Sequence, residues 1–208
     1  MLSRKSLVVA AVSGLLTVAA HAQYTAPAST GGTPGAYAND FSVSHNQWEI
    51  DGGIGFLAAT NLDGVDNGFA LHIGGYYLDP VNSTRESTLK YGVEYFYGNA
   101  DGGSGGNHRE LDTHFFSANL GYTYRFSQRF EAGIVGGLGF GALDYSGVGG
   151  DRSSGAFGYQ LRPEITGWIT DKVGVSLSYR FLHTVALDND WGKNPIQHAI
   201  EFAVKVRF

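Results

Sequence analysis

A chain of 208 residues with no cysteine and a formal net charge of −5 offers no thiolate metal site and no disulfide framework. It also lacks the basic clustering that nucleic-acid binding requires. Gly, at 31 residues, is about twice its usual share, charged residues make up only 16%, and aromatics reach 13%. Mean hydropathy is −0.11 and no long apolar stretch follows residue 20. That excludes a helical membrane protein but not a membrane barrel, whose alternating faces average to neutral.

Residues 1–22 read as a secretory signal peptide. Arg4 and Lys5 give a short positive region, Leu7 to Ala20 an apolar run, and Ala20-His21-Ala22 a small-residue cleavage site. Residue 23 is Gln rather than Cys, so lipoprotein processing is not expected. Residues 23–45, rich in Ala, Gly, Thr, Ser and Pro, read as a flexible N-terminal arm. An ordered plug there would need more apolar residues to offset its ordering entropy.

From Asn46 to Phe208 the period is two, and eight strands are expected. One face carries Trp48, Ile50, Ile54 and Phe56; then Phe69, Leu71, Ile73 and Tyr77; then Leu89, Tyr91, Val93, Tyr95 and Tyr97. It continues through His114, Phe116, Leu120, Tyr122, Tyr124 and Phe126, then Phe130, Ile134, Leu138 and Phe140. Phe157, Tyr159, Leu161 and Ile165 follow, then Val173, Val175, Leu177, Tyr179 and Phe181, and finally His198 to Phe208 at alternate positions. The opposite face is dominated by Gly, Ser, Thr, Ala and charges. A soluble eight-stranded barrel would turn its bulky apolar face inward. Here the polar face is too small or too hydrophilic to fill a dry core, so the bulky face should meet lipid.

Tight links are expected at 127–129 and 170–172, and long polar loops at 98–112, 143–156 and 183–196. Short turns on one side and long loops on the other is the outer-membrane arrangement. The links 60–67 and 79–87 fit it less well. Pro163 falls mid-strand where a closed barrel has no free edge, which argues for a bulge and weakens the inward assignment of Glu164.

The last strand, with Ile200, Phe202, Val204, Val206 and Phe208 at alternate positions, resembles the C-terminal signature recognised by the outer-membrane assembly machinery. With the signal peptide and the turn Tyr124–Phe130, residues 46–208 resemble the small outer-membrane β-barrels of the OmpA-like and opacity-protein type. The resemblance implies an all-β, eight-stranded antiparallel up-and-down transmembrane barrel with both termini periplasmic. It implies as partners the lipids and lipopolysaccharide of the cell outer membrane, and the assembly machinery with periplasmic chaperones during biogenesis. A monomer with no nucleic-acid partner is expected, and an external ligand could be met through the loops.

By parity Glu49, Asp51, Lys90, Glu94, Arg125, Glu131, Arg162, Glu164, Arg180, Glu201, Lys205 and Arg207 face inward. An eight-stranded barrel is barely wide enough for its own side chains, and unpaired ions there are costly. A turn centred on Gln128 puts Arg125 opposite Glu131. Closure of the last strand on the first brings Lys205 and Arg207 near Glu49 and Asp51. This resembles the ion-pair networks that plug such barrels; a narrow porin-like channel with switching pairs is the alternative.

A lipid A-modifying enzyme is the second alternative, with His183, Asp188, Asp190 and His198 as candidates. A lipid A deacylase of this architecture carries a serine two residues after its catalytic histidine. Here that position is Val185, so a nucleophile–base pair is not supported. Seven scattered histidines show no metal-binding spacing. Asp188-Asn189-Asp190 reads as solvated loop, with weak Ca²⁺ binding the alternative. Gly102 to Gly106 lacks the strand-to-helix context of a phosphate cradle. The expected role is therefore non-catalytic, structural or surface-interacting, with no cofactor and a plugged lumen beneath long polar loops.

Overall fold

The computed structural model describes residues 47–62, 64–84, 86–103, 108–147, 150–188 and 194–208. The expected signal peptide and arm lie outside these residues, as do Ser104–Gly106, Asn189, Asp190 and Trp191. Eight strands follow in order: β1 Trp48–Thr60, β2 Asn67–Asp79, β3 Ser87–Gly102, β4 Arg109–Arg125, β5 Phe130–Ser146, β6 Arg152–Trp168, β7 Val173–Ala186 and β8 Ile196–Arg207. Each pairs antiparallel with its neighbour and β8 returns to β1, closing the barrel. Among the described residues there is no helix.

Side-chain size sorts the two faces as the alternation predicts. Phe56 is 78% exposed on the wall while its neighbour Leu57 is 2% exposed inside. The three connections at the end that carries residues 48 and 208 share one device. Thr84, Ser127 and Thr170 each stand three residues before a strand starts, and each hydroxyl accepts the backbone N–H of that strand's first residue, Ser87 (3.0 Å), Phe130 (3.0 Å) and Val173 (2.9 Å). A hydroxyl in this place satisfies donors that the turn would leave open. Asp79 organises the longest of them, accepting from Val81 N–H (2.8 Å), Asn82 N–H (3.1 Å) and the Tyr91 hydroxyl (2.6 Å).

At the opposite end the expected long loops 98–112 and 143–156 are mostly strand. β3 runs to Gly102 and β4 starts at Arg109; β5 runs to Ser146 and β6 starts at Arg152. β4, β5 and β6 have 17 residues each, against the roughly 9–11 needed to cross hydrocarbon. The surplus extends these strands beyond that length as a collar at the loop end. There the alternation inverts: Asn99, Asp101 and Asp112 point outward while Ala100, Leu111 and Leu143 are buried inside.

The expected bulge at Pro163 is absent. Leu161 pairs with Phe181 and Glu164 with Ser178, so two residues on each strand lie between these pairs and the register does not slip. Pro163 keeps its partner Ile134 on β5. The missing N–H interrupts the ladder toward β7 without adding a residue, and Glu164 points inward, 4% exposed.

Candidate functional site

All twelve predicted inward charges come together, and their contacts form one connected network. Arg207 spans Glu49 (2.8 Å) and Glu131 (2.9 Å), and Arg125 meets Glu131 at 3.7 Å. Lys90 joins Glu49 (2.9 Å) to Glu164 (3.0 Å), and Lys205 contacts both of the same carboxylates. Arg162 reaches Asp51 (2.8 Å), Glu94 (3.2 Å) and Glu164 (3.6 Å). Arg180 binds Glu94 and Glu201. Six acids (Glu49, Asp51, Glu94, Glu131, Glu164, Glu201) face six bases (Lys90, Arg125, Arg162, Arg180, Lys205, Arg207), so formal charge cancels. Arg125 is the outlier, on the rim with its side chain 19% exposed.

The register explains why distant residues meet. β1 and β8 pair Glu49 with Arg207 and Asp51 with Lys205, so the seam of the barrel is also a rung of the network. Long Lys and Arg stems then cross the axis.

Three members escape a reading based on formal charge. His72 on β2 lies 3.3 Å from Asp51 and 3.4 Å from Glu201, with its Nε2 2.8 Å from Arg162. A guanidinium can only donate, so Nε2 accepts. Tyr76 donates to Glu94 (2.9 Å), and Gln160 bridges Glu94 to Ser117 (2.8 Å) and Asn119 (2.9 Å). Their inward parity was visible; their polarity is not formal charge. Asp51, His72 and Glu94 also bring ligand atoms within 4.8 Å of one another, but the Arg162 guanidinium already stands among them.

The lumen has a second layer that corrects the expectation of an interior too hydrophilic for a dry core. Toward the loop end, Leu57, Phe96, Leu111, Phe115, Leu143 and Leu182 form a buried apolar cluster. Val65, from the connection after β1, joins it. At the other end the Trp168 ring lies 4.0 Å from the Arg207 guanidinium, inside the mouth formed by the turns.

The enzyme candidates separate. His183 lies across from Tyr159 on β6 and Ile196 on β8, on the outer wall. His198 Nδ1 is 2.6 Å from the Tyr179 hydroxyl. Asp188 donates its backbone N–H to Ser154 Oγ at 3.1 Å. Among the described residues no serine or threonine hydroxyl bonds to any of these histidines. In the expected assembly segment, Ile200 and Phe202 project from the wall, Val206 is 1% exposed, and Phe208 N–H donates to Trp48 O at 2.9 Å.

A family model described as the outer membrane protein beta-barrel domain matches residues 8–208. No curated protein sequence matches the chain. Among solved structures, neisserial surface protein A is similar at 15% identity with a TM-score of 0.60, over 78% of this chain and 97% of that one. Ail, the attachment invasion locus protein of Yersinia pestis, is similar at 15% identity and a TM-score of 0.45, over 78% and 99%. The outer membrane enzyme PagL is similar at 14% identity and a TM-score of 0.45, over 77% and 99%. At these identities the likeness bears on the fold alone.

Proposed function

Because this chain belongs to the outer membrane protein beta-barrel domain family and resides in the outer membrane, we propose that it is a non-catalytic envelope barrel whose lumen is closed. On this reading both termini lie in the periplasm, residues 1–22 are removed on export, and the collar with its loops faces outside, free to meet surface partners. Lipopolysaccharide surrounds the wall, and the alternate apolar positions ending at Phe208 serve as the assembly signal.

One observation carries the reading: the axis is filled along its length by two unlike layers. Six carboxylates and six cations cross-link the turn half, and six large apolar side chains fill the loop half. A solute would have to break buried ion pairs and then cross a dry layer, and each step is costly. Among the described residues, the outer-wall histidines His183 and His198 also have no serine or threonine hydroxyl bonded to them as a nucleophile.

The test is planar-bilayer conductance of the purified, heat-modifiable barrel. Electrical silence is expected at physiological salt. Large, stable, reproducible channels would overturn the closed-lumen reading. Surface proteolysis of intact cells checks the orientation separately, with cleavage expected only at 61–66, 103–108, 147–151 and 187–195.

A further inference from the structure

The outer wall is not evenly clad. In register across four strands, Gly75 of β2, Val93 of β3, Ala118 of β4 and Leu138 of β5 stand side by side. The next row toward the loops is Ile73, Tyr95, Phe116 and Phe140, again in register. The row toward the turns carries Tyr77, Tyr91 and Leu120. A floor that starts with Gly, Val and Ala thus lies between two bulky ridges, leaving an apolar furrow of about 620 Å³ on the lipid-facing side.

Gly75 makes this furrow. Inside the barrel, glycine is enforced by crowding: a Cβ at Gly141 would run into the carbonyl of His114. A Cβ on Gly75 would meet nothing within 4 Å. Glycine is unfavourable in a strand interior, and no neighbour requires it here. What its missing side chain supplies is concavity.

We propose that the furrow seats one acyl chain of an outer-leaflet lipid A molecule as a resident ligand, held longer than the lipid around it. The occupant follows from continuity, since the furrow is part of a wall that already meets acyl chains. A second copy of the barrel fits poorly, because its convex wall would strike Phe116 and Phe140, 52% and 70% exposed, before reaching Gly75. Moving a chain from bulk lipid into the furrow brings no hydrophobic transfer energy. Retention comes from dispersion contacts on a concave surface and from a polar anchor. The ridge supplies one: the Tyr95 hydroxyl lies 2.8 Å from His114 Nδ1, leaving Nε2 for a headgroup or ester oxygen. The choice of leaflet rests on the outward-facing loops proposed above; the seat itself does not.

The experiment uses the full folded barrel in detergent with added lipid A, scored by native mass spectrometry. Wild type is expected to retain one lipid A per barrel. Gly75→Leu with Ala118→Leu fills the floor without touching the lumen and should lower retention about tenfold, equivalent to ~1.4 kcal/mol. Leu177→Ala, on the wall of β7 and away from both ridges, should retain as wild type does, and heat-modifiable migration reports folding of every variant. Equal retention by the filled variant, or none by wild type, overturns the proposal. So does a wild-type dimer that the filled variant loses. Proteolysis that placed the loops inside would move the seat to the other leaflet without emptying it.

Discussion

Lys90 of β3 and Glu164 of β6 meet across the axis of the barrel, 3.0 Å apart, with β4 and β5 between them along the wall. Lys90 also holds Glu49 of β1 at 2.9 Å, so one ammonium ties three strands through the centre. Both carboxylates and the lysine are buried. The pair therefore acts as a cross-brace, and its removal leaves carboxylates stranded away from water.

Lys90→Met should lower unfolding stability in lipid vesicles by about 3 kcal/mol, the usual cost of removing one partner of a buried ion pair. Lys205 still contacts both carboxylates and limits the loss. Adding Glu164→Gln to Lys90→Met should recover part of it, because the stranded charge is gone. Urea midpoints for the single and double variants check this; a double variant weaker than the single one contradicts the account.

Salt should matter little to the folded barrel. Screening acts on solvated charges, and the deep network, from Glu49 to Lys205, is closed to water. Denaturation midpoints between 0.1 and 1 M NaCl are expected to coincide once salt effects on the denaturant itself are subtracted. A steep fall would mean that the network is wet.

The apolar layer is expected to be separable from the ionic one. Phe115→Ala should cost about 3–5 kcal/mol by leaving a cavity in a packed cluster. It should remain electrically silent, because the ionic layer still blocks the axis. Channels from this single variant would show that the apolar layer alone forms the seal.

Two glycines should respond oppositely. Gly141→Val places a branched side chain against the backbone at His114 and should abolish the heat-modifiable folded band. Gly75→Val meets open space and should keep that band. Gel migration of the pair reads this directly.

Pro163→Val restores an N–H facing the gap in the β6–β7 ladder. A gain of about 1 kcal/mol is expected, the net worth of one added hydrogen bond. Amide exchange at Arg162 and Glu164 should slow in the same variant.

The wall and the twelve charges were legible in the sequence because lipid and a narrow axis impose opposite demands on alternate residues. Phe202 must face acyl chains and Glu201 cannot, so one strand reveals both. The collar was not legible, because there polar residues point outward and apolar ones inward. Asp101 and Asp112 are polar and outward while Leu111 is apolar and inward, so a single template reads the stretch as loop. The same reversal hid the layer of Leu57, Leu111, Leu143 and Leu182. His72 and Gln160 were visible as inward positions but carried no formal charge to mark them. The hydroxyls at Thr84, Ser127 and Thr170, each three residues ahead of a strand, are a turn signal that the alternation of faces does not contain.

The meander order has a consequence for assembly. Seven of the eight strand pairings join neighbours in sequence, so most of the sheet has low contact order and can form hairpin by hairpin. The eighth, Glu49 with Arg207 and Asp51 with Lys205, closes the whole chain and carries the largest loop-closure entropy. Until that seam shuts, the acids of β1 lack their β8 partners and the open sheet keeps two raw edges. The seam thus works as a latch: the sheet loses its edges, and the acids of β1 gain their β8 partners, only when the last strand pairs with the first.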